Sequence, residues 1–268
     1  MKQKIISIEA TTLSDAWFQL VWNALEYGRD FKIDQGSFAG STRKEFDFIV
    51  AHILRPWERD SDGFPLIPEM PEGMNIPAPV DHDYLIDYAP YLLSGETEEK
   101  ESYTYGQRLN NVSNEDLGVE EYWLGWKNGI HKPYQNNKIL EDIILGDDHK
   151  LSQVELAIHT YKNEGYRNNQ MCLQVAQPSD ILLLDPPCLR HIDTRIQDGK
   201  LYFYPYFRSW DLWSGFPANV AGISMLQEHM AGEIGVEQGE MICTSKGLHL
   251  YDYVVDFAKM RCMVDDAC

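Results

Sequence analysis

A cysteine that directly follows two prolines is the first candidate for chemistry in this chain. It lies in the segment DPPCLRHIDTR, where Pro186 and Pro187 fix the approach to Cys188 and prevent a helix there. A thiol attacks as the thiolate, and nearby guanidinium groups such as that of Arg190 lower the pKa of a thiol. Cys188 could be a nucleophile, a metal ligand or a small core residue, and its position alone leaves the choice open.

The cysteines as a set argue against a metal site. The chain has five, Cys172, Cys188, Cys243, Cys262 and Cys268, and no two of them form a C-x-x-C pair. The odd count and the irregular spacing are typical of reduced thiols in a cytosolic protein. Because no thiolate cluster is suited to zinc, we predict no metal.

Three polar residues beyond Cys188 have the chemistry of a nucleotide site. Arg208 and Ser209 combine a charged fork of donors with a hydroxyl, which suits a phosphate, although Arg208 could also be a surface ion pair. Asn219 stands among small and apolar residues, and a buried amide needs partners for both its carbonyl and its NH2. Those two groups match the O4 and N3–H edge of uracil. Alternatively, Asn219 caps a helix that begins near Val220, and spacing alone favours the cap.

Composition bounds the classes of function. The chain of 268 residues has a formal net charge of -19, from 23 basic and 42 acidic residues, which argues against a nucleic-acid partner. Local arginines can still form a positive pocket for a small anion. The mean hydropathy of -0.39 and the lack of a long apolar run argue against a transmembrane helix. We identify no signal peptide and expect a cytoplasmic protein.

The hydrophobic patterns predict helices and strands that do not alternate strictly, and hence an α+β fold with a mixed sheet. The predicted helices cover residues 13–27, 83–93, 115–130, 136–145, 151–163 and 220–234. The predicted strands cover residues 46–54, 200–208 and 241–253, with shorter ones in QMCLQVA and ILLLD. Apolar side chains share one face of the strand Lys200–Arg208 and tyrosines share the other, which favours a central strand with its tyrosine face lining a cavity.

Beyond single residues, the segment Asp185–Tyr251 resembles the catalytic half of the folate-dependent thymidylate synthase family. It carries DPPC, the turn and strand DGKL, and YFRSWDLWSGFPANVAG, which matches the pattern R-S-x-D-x-x-x-G-x-P-x-N-x-A. GLHLYDY matches the H-x-Y element, and YTYGQRL at 103–109 extends the likeness upstream. The forms PPCLR and SKGLH are closer to the archaeal-type branch. The resemblance implies a single domain over residues 1–268 with a catalytic core at 101–255.

The resemblance also implies a role for each matching residue. Cys188 would add to C6 of the pyrimidine, Tyr105 would serve in proton abstraction from C5, and Asp211 would contact folate and organise the pyrimidine site. The residues implied in substrate binding are Arg208 and Ser209 for the phosphate, Asn219 for the base, His249 and Tyr251 for the ribose 3′-hydroxyl, and Arg43 and Arg167 as further phosphate ligands.

The implied activity is the reductive methylation of deoxyuridylate to thymidylate. Thiolate addition to C6 makes C5 a carbon nucleophile, and 5,10-methylenetetrahydrofolate provides both the one-carbon unit and the hydride. The implied partners are these two small molecules and a second subunit, because the family is a homodimer that shares phosphate-binding arginines between subunits. No nucleic acid, membrane or metal is expected.

This chain departs from the family pattern at several positions. Leu189 follows the cysteine where the family usually has histidine, and GYRNNQ leaves Arg167 as the one candidate for the arginine pair shared across the dimer. Arg29 competes with Arg43 for the arginine of the phosphate loop. Glu69 is a candidate for the active-site glutamate, although a solvated glutamate is an equally good interpretation.

These departures keep two other functions open. A deoxyuridylate or cytidylate 5-hydroxymethylase would use the same folate and let water trap the methylene intermediate. Asn219 favours uracil over cytosine but does not separate methylation from hydroxymethylation. A non-catalytic nucleotide-binding protein that kept the fold is the third hypothesis, and the retained Cys188 and Asp211 argue against it.

Overall fold

The computed structural model describes residues 2–34, 38–97, 103–113, 150–166 and 169–264. The strands are β1 (Ile5–Ala10), β2 (Arg29–Lys32), β3 (Thr42–Glu45), β4 (Phe48–Ile53), β5 (Val112–Ser113), β6 (Lys150–Leu151), β7 (Cys172–Gln174), β8 (Leu189–Gln197), β9 (Lys200–Phe207), β10 (Trp210–Asp211), β11 (Glu237–Ser245) and β12 (Leu248–Tyr251). The helices are α1 (Leu13–Tyr27), α2 (His82–Leu93), α3 (Tyr105–Asn110), α4 (Gln153–Glu164), α5 (Gly215–Ile234) and α6 (Asp252–Cys262), with a 3₁₀ helix at Pro178–Leu182.

The larger sheet has six strands in the order β1-β4-β11-β9-β8-β7. The pairs β1–β4 and β11–β9 are parallel, whereas β4–β11, β9–β8 and β8–β7 are antiparallel. The strand β9 therefore lies inside the sheet, as its two substantial faces predict. This mixed sheet, together with its helices, confirms the predicted α+β fold.

One face of the larger sheet forms the core. Leu201, Phe203 and Phe207 of β9 are fully buried on this face, where α1 and α5 contact the sheet. Trp17 of α1 helps to close the core, because its indole N–H donates to the Trp213 carbonyl (3.1 Å). The tyrosines of β9 lie on the opposite face and are half-buried there.

The smaller sheet has the order β10-β12-β3-β2, with β10 parallel to β12 and the other neighbours antiparallel. Two residues, Arg208 and Ser209, connect β9 of the larger sheet to β10 of the smaller one. Lys246 and Gly247 connect β11 to β12 in the same way. The two sheets are therefore joined at two short crossings that lie side by side.

The predicted strand ILLLD is wrong. A 3₁₀ helix occupies Pro178–Leu182 instead, because the carboxylate of Asp180 accepts the N–H of Gln177 (2.9 Å) and closes a tight turn. The aliphatic run that follows is open to solvent, with Ile181 87% and Leu184 85% exposed. A continuous apolar run was therefore a poor guide to burial here.

Other boundaries differ more mildly. The helix predicted from Val220 begins at Gly215, and the strand predicted over 241–253 is divided into β11 and β12, which belong to different sheets and precede α6. The predicted helices at 115–130 and 136–145 lie outside the described residues. Over the described part of the chain, no helix is both long and apolar enough to span a membrane.

Candidate active site

A cavity of about 730 Å³ opens where the two sheets meet. The loop that ends at Cys188 reaches the two crossings between the sheets at this point. The Arg208 N–H donates to the Cys188 carbonyl (2.9 Å), and the Trp210 N–H donates to the Gly247 carbonyl (3.0 Å), so backbone hydrogen bonds hold the three segments together. The predicted site residues that line the cavity are Cys188, Arg208, Ser209, Arg43 and Tyr251.

The Cys188 thiol is partly buried at the cavity wall and faces several charges. Burial raises the pKa of the thiol; Arg208, Arg190 and Arg43 lower that pKa, and the carboxylate of Asp185 raises it. The net shift is upward, so the protonated thiol predominates at neutral pH. Removing Asp185 from the wall, or bringing a guanidinium closer, would lower the pKa and favour the nucleophilic thiolate.

Two arginines clamp the loop that carries the thiol. The Nε of Arg208 donates to the carbonyl oxygens of Pro186 (3.1 Å) and Pro187 (3.2 Å). Its Nη2 donates to Oδ1 of Asp185 (3.0 Å) and also to the Pro186 carbonyl. Arg190 donates to the Pro187 carbonyl (3.1 Å) from the other side. Arg190 and Arg208, which the sequence places near the thiol, therefore hold its loop in position and also lower its pKa.

Asp180 anchors this arrangement from the core. Its carboxylate is almost fully buried and lies 3.0 Å from Nη2 of Arg108 and 3.2 Å from Nη1 of Arg190. A buried carboxylate with two guanidinium partners is well compensated, and removal of either partner would be costly. Asp180 could not be recognised from the sequence, because Arg108 is distant in sequence and Arg190 is already assigned to the thiol.

Tyr105 contacts the backbone beside the thiol. Thr104 caps α3 by accepting the N–H of Gln107 (2.8 Å), which places Tyr105 at the first position of the helix. The Tyr105 hydroxyl accepts the N–H of Leu189 (3.2 Å). Burial raises the pKa of Tyr105, and a Cys188 thiolate raises it further, so the phenol stays protonated at neutral pH. The Leu189 side chain is fully buried and offers no polar group to the site.

Asn219 lies inside α5 and has both ends of its amide bonded. Its Oδ1 accepts the indole N–H of Trp210 (2.9 Å), and its Nδ2 donates to the hydroxyl of Tyr88 (2.6 Å). The amide is therefore a partly buried polar group with partners for its carbonyl and its NH2, and the alternative interpretation as a helix cap is wrong. Tyr105 lies close enough to influence the pKa of Tyr88, which links the amide to the thiol end of the site.

Asp211, and not Asn219, binds the backbone N–H groups at the start of α5. Its Oδ1 accepts the N–H of Trp213 (3.1 Å), and its Oδ2 accepts the N–H groups of Ser214 (3.1 Å) and Gly215 (3.0 Å). Burial raises the pKa of Asp211, and these three backbone donors lower it. A carboxylate offers about four acceptor positions, so one remains for a donor on a ligand.

His249 presents a buried, neutral imidazole. Burial lowers its pKa to about 4. Its Nδ1 lies 2.8 Å from the Gly247 carbonyl, and because a carbonyl can only accept, Nδ1 carries the proton. The Nε2 lone pair is buried and has no hydrogen-bond partner among the described residues. His249 can therefore accept one hydrogen bond through Nε2. The Tyr251 ring packs edge-on against the imidazole (centroids 4.6 Å apart).

The two arginines that compete for the phosphate loop differ in position. Arg43 lies in β3 opposite Tyr251 of β12 and lines the cavity, where its Nη2 is 2.6 Å from Oε2 of Glu45. Arg29 pairs with Asp47 (2.5 Å) and is not among the residues that line the cavity. The geometry favours Arg43 as an anion ligand.

One other candidate, Glu69, is not brought to the cavity. Glu69 is exposed and borders a separate hollow formed with Pro68 and Met70. Arg167 lies outside the described residues. Sequence reasoning also missed Glu45 and Lys246, which line the cavity. Glu45 could have been found from the alternation of β3, because it stands two residues from Arg43 and so shares its face.

The fold and the cavity define an α+β protein in which a thiol and two guanidinium groups line one cavity. Among the described residues, no cluster of three or more His, Cys, Asp or Glu side chains could hold a metal ion. A family model described as thymidylate synthase matches residues 86–264. The chain therefore belongs to the thymidylate synthase family.

Individual relatives agree with this assignment at low identity. A protein of Methanosarcina mazei named "Putative thymidylate synthase" is 28% identical over 255 residues, which cover 94% of this chain and 92% of the relative. A protein of the same name from Methanosarcina acetivorans is 26% identical over the same length and shares of the two chains. A "Thymidylate synthase" of Corynebacterium aurimucosum is 30% identical over 115 residues, which cover 42% of each chain.

Proposed function

We propose that the protein is a thymidylate synthase that methylates deoxyuridylate with 5,10-methylenetetrahydrofolate, and that residues 1–268 form one domain with its catalytic core at 101–255. The observation that carries the proposal is the cavity that joins the thiol of Cys188 to the guanidinium groups of Arg208 and Arg43. A free nucleophile beside a phosphate site is the arrangement that a covalent nucleotide-modifying enzyme requires.

The residues present can hold the nucleotide at three points. Arg208, Ser209 and Arg43 would bind the phosphate, which replaces the carboxylates that these arginines now contact. The free Nε2 of His249 would accept the ribose 3′-hydroxyl, and Tyr251 lies beside it. Asn219 would bind the edge of the base, since each end of its amide can form one further hydrogen bond.

Each side chain then has a defined chemical task. Cys188 Sγ adds to C6 of the bound pyrimidine, which makes C5 nucleophilic. Tyr105 stays protonated and holds the Leu189 backbone, so it can position an acceptor for the C5 proton beside the thiol. When bound, the folate supplies the one-carbon unit and the hydride. The remaining acceptor position on Asp211 fits a ring N–H of that folate.

The same cavity would serve a deoxyuridylate 5-hydroxymethylase, which is the second candidate. The observation that favours it is Leu189, a buried apolar side chain at the position after the nucleophile. Mass spectrometry of the product separates the two reactions, because a hydroxymethyl group carries one oxygen more than a methyl group. A product with the mass of thymidylate supports the synthase, and the heavier product supports the hydroxymethylase.

The decisive test traps the nucleophile. Wild-type protein incubated with 5-fluorodeoxyuridylate and 5,10-methylenetetrahydrofolate should form a covalent adduct at Cys188, detected by peptide mass spectrometry. Cys188→Ser should abolish both the adduct and turnover. Cys172→Ser, a partly buried cysteine of β7, should retain both. Wild-type protein without an adduct would favour the non-catalytic nucleotide-binding protein instead.

We also propose a cytoplasmic homodimer formed through the tyrosine face of the larger sheet. Tyr202, Tyr204 and Tyr206 are half-buried on this face, opposite the helices, and a second copy would complete their burial. The support for the cytoplasm is that the four described cysteines are free thiols. Light scattering should give twice the chain mass of 30.9 kDa. Tyr204→Glu should give the single-chain mass, and a wild-type monomer would refute the dimer.

A further inference from the structure

Asn219 is held by two neighbours that constrain its amide differently. The indole N–H of Trp210 donates to Oδ1 (2.9 Å), and Nδ2 donates to the Tyr88 hydroxyl (2.6 Å). An asparagine amide can be turned over by half a rotation, which exchanges an acceptor for a donor without any change of shape. Whether this amide can turn over depends on its two partners.

Tyr88 is compatible with either orientation of the Asn219 amide. Burial raises the pKa of Tyr88 well above its usual value, so the hydroxyl remains protonated. A hydroxyl can accept from Nδ2, as it does here, or donate to Oδ1 if the amide turns over. Tyr88 therefore holds the side chain of Asn219 in place without deciding which way it faces.

Trp210 is compatible with only one orientation of the Asn219 amide. The indole nitrogen is a donor and never an acceptor, so Oδ1 must face it. If the amide turned over, two N–H donors would face each other and both would be left without an acceptor. The ring cannot move aside easily, because it is 2% exposed and stacks on Phe207 with ring centroids 3.7 Å apart.

We propose that Trp210 is a specificity-determining residue, which locks the Asn219 amide in the orientation that reads uracil and rejects cytosine. In this orientation, the second lone pair of Oδ1 can accept N3–H of uracil, and the second hydrogen of Nδ2 can donate to O4. Cytosine presents an acceptor at N3 and a donor at the 4-amino group, so it would require the amide to turn over against the indole. The inference rests on the proposed function, in which Asn219 contacts the base.

The test compares the binding of two nucleotides to the full chain. Isothermal titration of deoxyuridylate and deoxycytidylate gives the ratio of their dissociation constants. Trp210→Phe keeps an aromatic ring on Phe207 and removes the N–H, and the preference for deoxyuridylate should fall about tenfold. The matched control is Trp17→Phe, which removes another buried indole hydrogen bond, to the Trp213 carbonyl, and should leave the preference unchanged.

A second substitution tests whether fixing the orientation of the Asn219 amide differs from merely holding a hydrogen bond to it. Tyr88→Phe removes a partner of Nδ2 and leaves the indole in place, so deoxyuridylate should bind more weakly while its preference over deoxycytidylate persists. If Trp210→Phe does not fold, 3-benzothienylalanine at position 210 keeps the bicyclic ring and lacks the N–H, and it should give the same tenfold loss.

Three outcomes decide the matter. A tenfold loss of preference in the Trp210 variants alone supports the lock. An equal weakening of both nucleotides, with an unchanged ratio, overturns it and leaves Trp210 as a packing residue. Wild-type protein that binds neither nucleotide and forms no adduct with 5-fluorodeoxyuridylate refutes the proposed function itself, and the inference fails with it.

Discussion

The thiol end and the amide end of the site are each held in place by a different kind of interaction. At the thiol end, Arg208 and Arg43 are paired with the carboxylates of Asp185 (3.0 Å) and Glu45 (2.6 Å). At the amide end, Asn219 is bonded to neutral aromatic side chains. A phosphate can replace a carboxylate, so the charged end would exchange partners on binding the proposed nucleotide. At the amide end, Asn219 would keep its hydrogen bonds to Trp210 and Tyr88 and would bind the base with the one acceptor and one donor position that remain on its amide.

From this contrast we expect the charged thiol end to provide most of the affinity for a nucleotide and the neutral amide end to provide the selectivity for its base. Charge-assisted hydrogen bonds are roughly twice as strong as neutral ones, and any anion of suitable shape can use them. Preorganised neutral hydrogen bonds discriminate between donors and acceptors, because a mismatch leaves a buried group without a partner.

The largest effect is expected at Arg208. Arg208→Ala removes the guanidinium proposed to bind the phosphate and should weaken deoxyuridylate binding about 100-fold, since hydrogen bonds to charged groups contribute about 1.5–3 kcal/mol. Arg208→Lys should recover only part of the loss, because lysine lacks the planar fork. The measurement is titration calorimetry, and Arg55→Ala, which removes an exposed arginine, is the control. An equal loss for deoxyuridine, which has no phosphate, would assign the effect to the loop instead.

An intermediate effect is expected at Gly222, where α5 meets Tyr88. A Cβ there would lie 2.6 Å from Cε1 of Tyr88 and 2.9 Å from Cδ1 of Leu92, so Gly222→Ala must displace the tyrosine. Such overpacking costs about 1–3 kcal/mol of unfolding free energy. The matched control is Gly232→Ala in the same helix, where a Cβ meets nothing within 4 Å, and which should stabilise by up to about 1 kcal/mol.

Thermal and denaturant unfolding of both variants measure this difference. The Gly222 variant should also bind deoxyuridylate more weakly, because Tyr88 is moved from Nδ2 of Asn219. Equal stability of the two variants would show that the Tyr88 ring can move away from the helix without cost.

The smallest effect is a pH dependence of stability from His249. In the unfolded chain the imidazole protonates near pH 6.5, whereas the buried imidazole has a pKa of about 4. Between these values the unfolded state binds more protons, so the free energy of unfolding falls as the pH is lowered, by about 1–2 kcal/mol at pH 5. Denaturant titrations from pH 7 to pH 4.5 should show a flatter profile for His249→Asn. His229→Asn, at an exposed position of α5, should keep the wild-type slope.

Local sequence patterns were sufficient to predict the elements whose structure depends mainly on residues close in sequence. The alternation of Leu201, Phe203 and Phe207 with three tyrosines correctly predicted an inner strand with two different faces, although these tyrosines are not among the residues that line the cavity of the candidate site. The α1 helix was predicted with its observed bounds, because its apolar spacing is regular; its cap in the structure is Thr12. Motif spacing also drew attention to the five predicted residues that line the cavity.

Features that depend on distant contacts could not be predicted in this way. Tyr88 reaches Asn219 from a helix far away in sequence, and nothing near Tyr88 marks it as a partner of an amide. Trp210 occupies a variable position of the family pattern, so a motif search passes over it. The run Ile181–Leu184 resembles a buried strand, yet one carboxylate turns the chain before it and leaves most of the run exposed.

The acidity of the chain has a kinetic consequence for its ligands. A formal charge of -19 surrounds the molecule with a negative potential, while four basic side chains against three acidic ones leave the cavity wall slightly positive: Lys32, Arg43, Arg208 and Lys246 against Asp34, Glu45 and Asp185. At physiological ionic strength the field of exposed charges decays over about 8 Å, so an approaching nucleotide is repelled before it is attracted. Added salt should therefore accelerate its capture while weakening the bound complex, which is the reverse of the usual steering of an anion into a basic site.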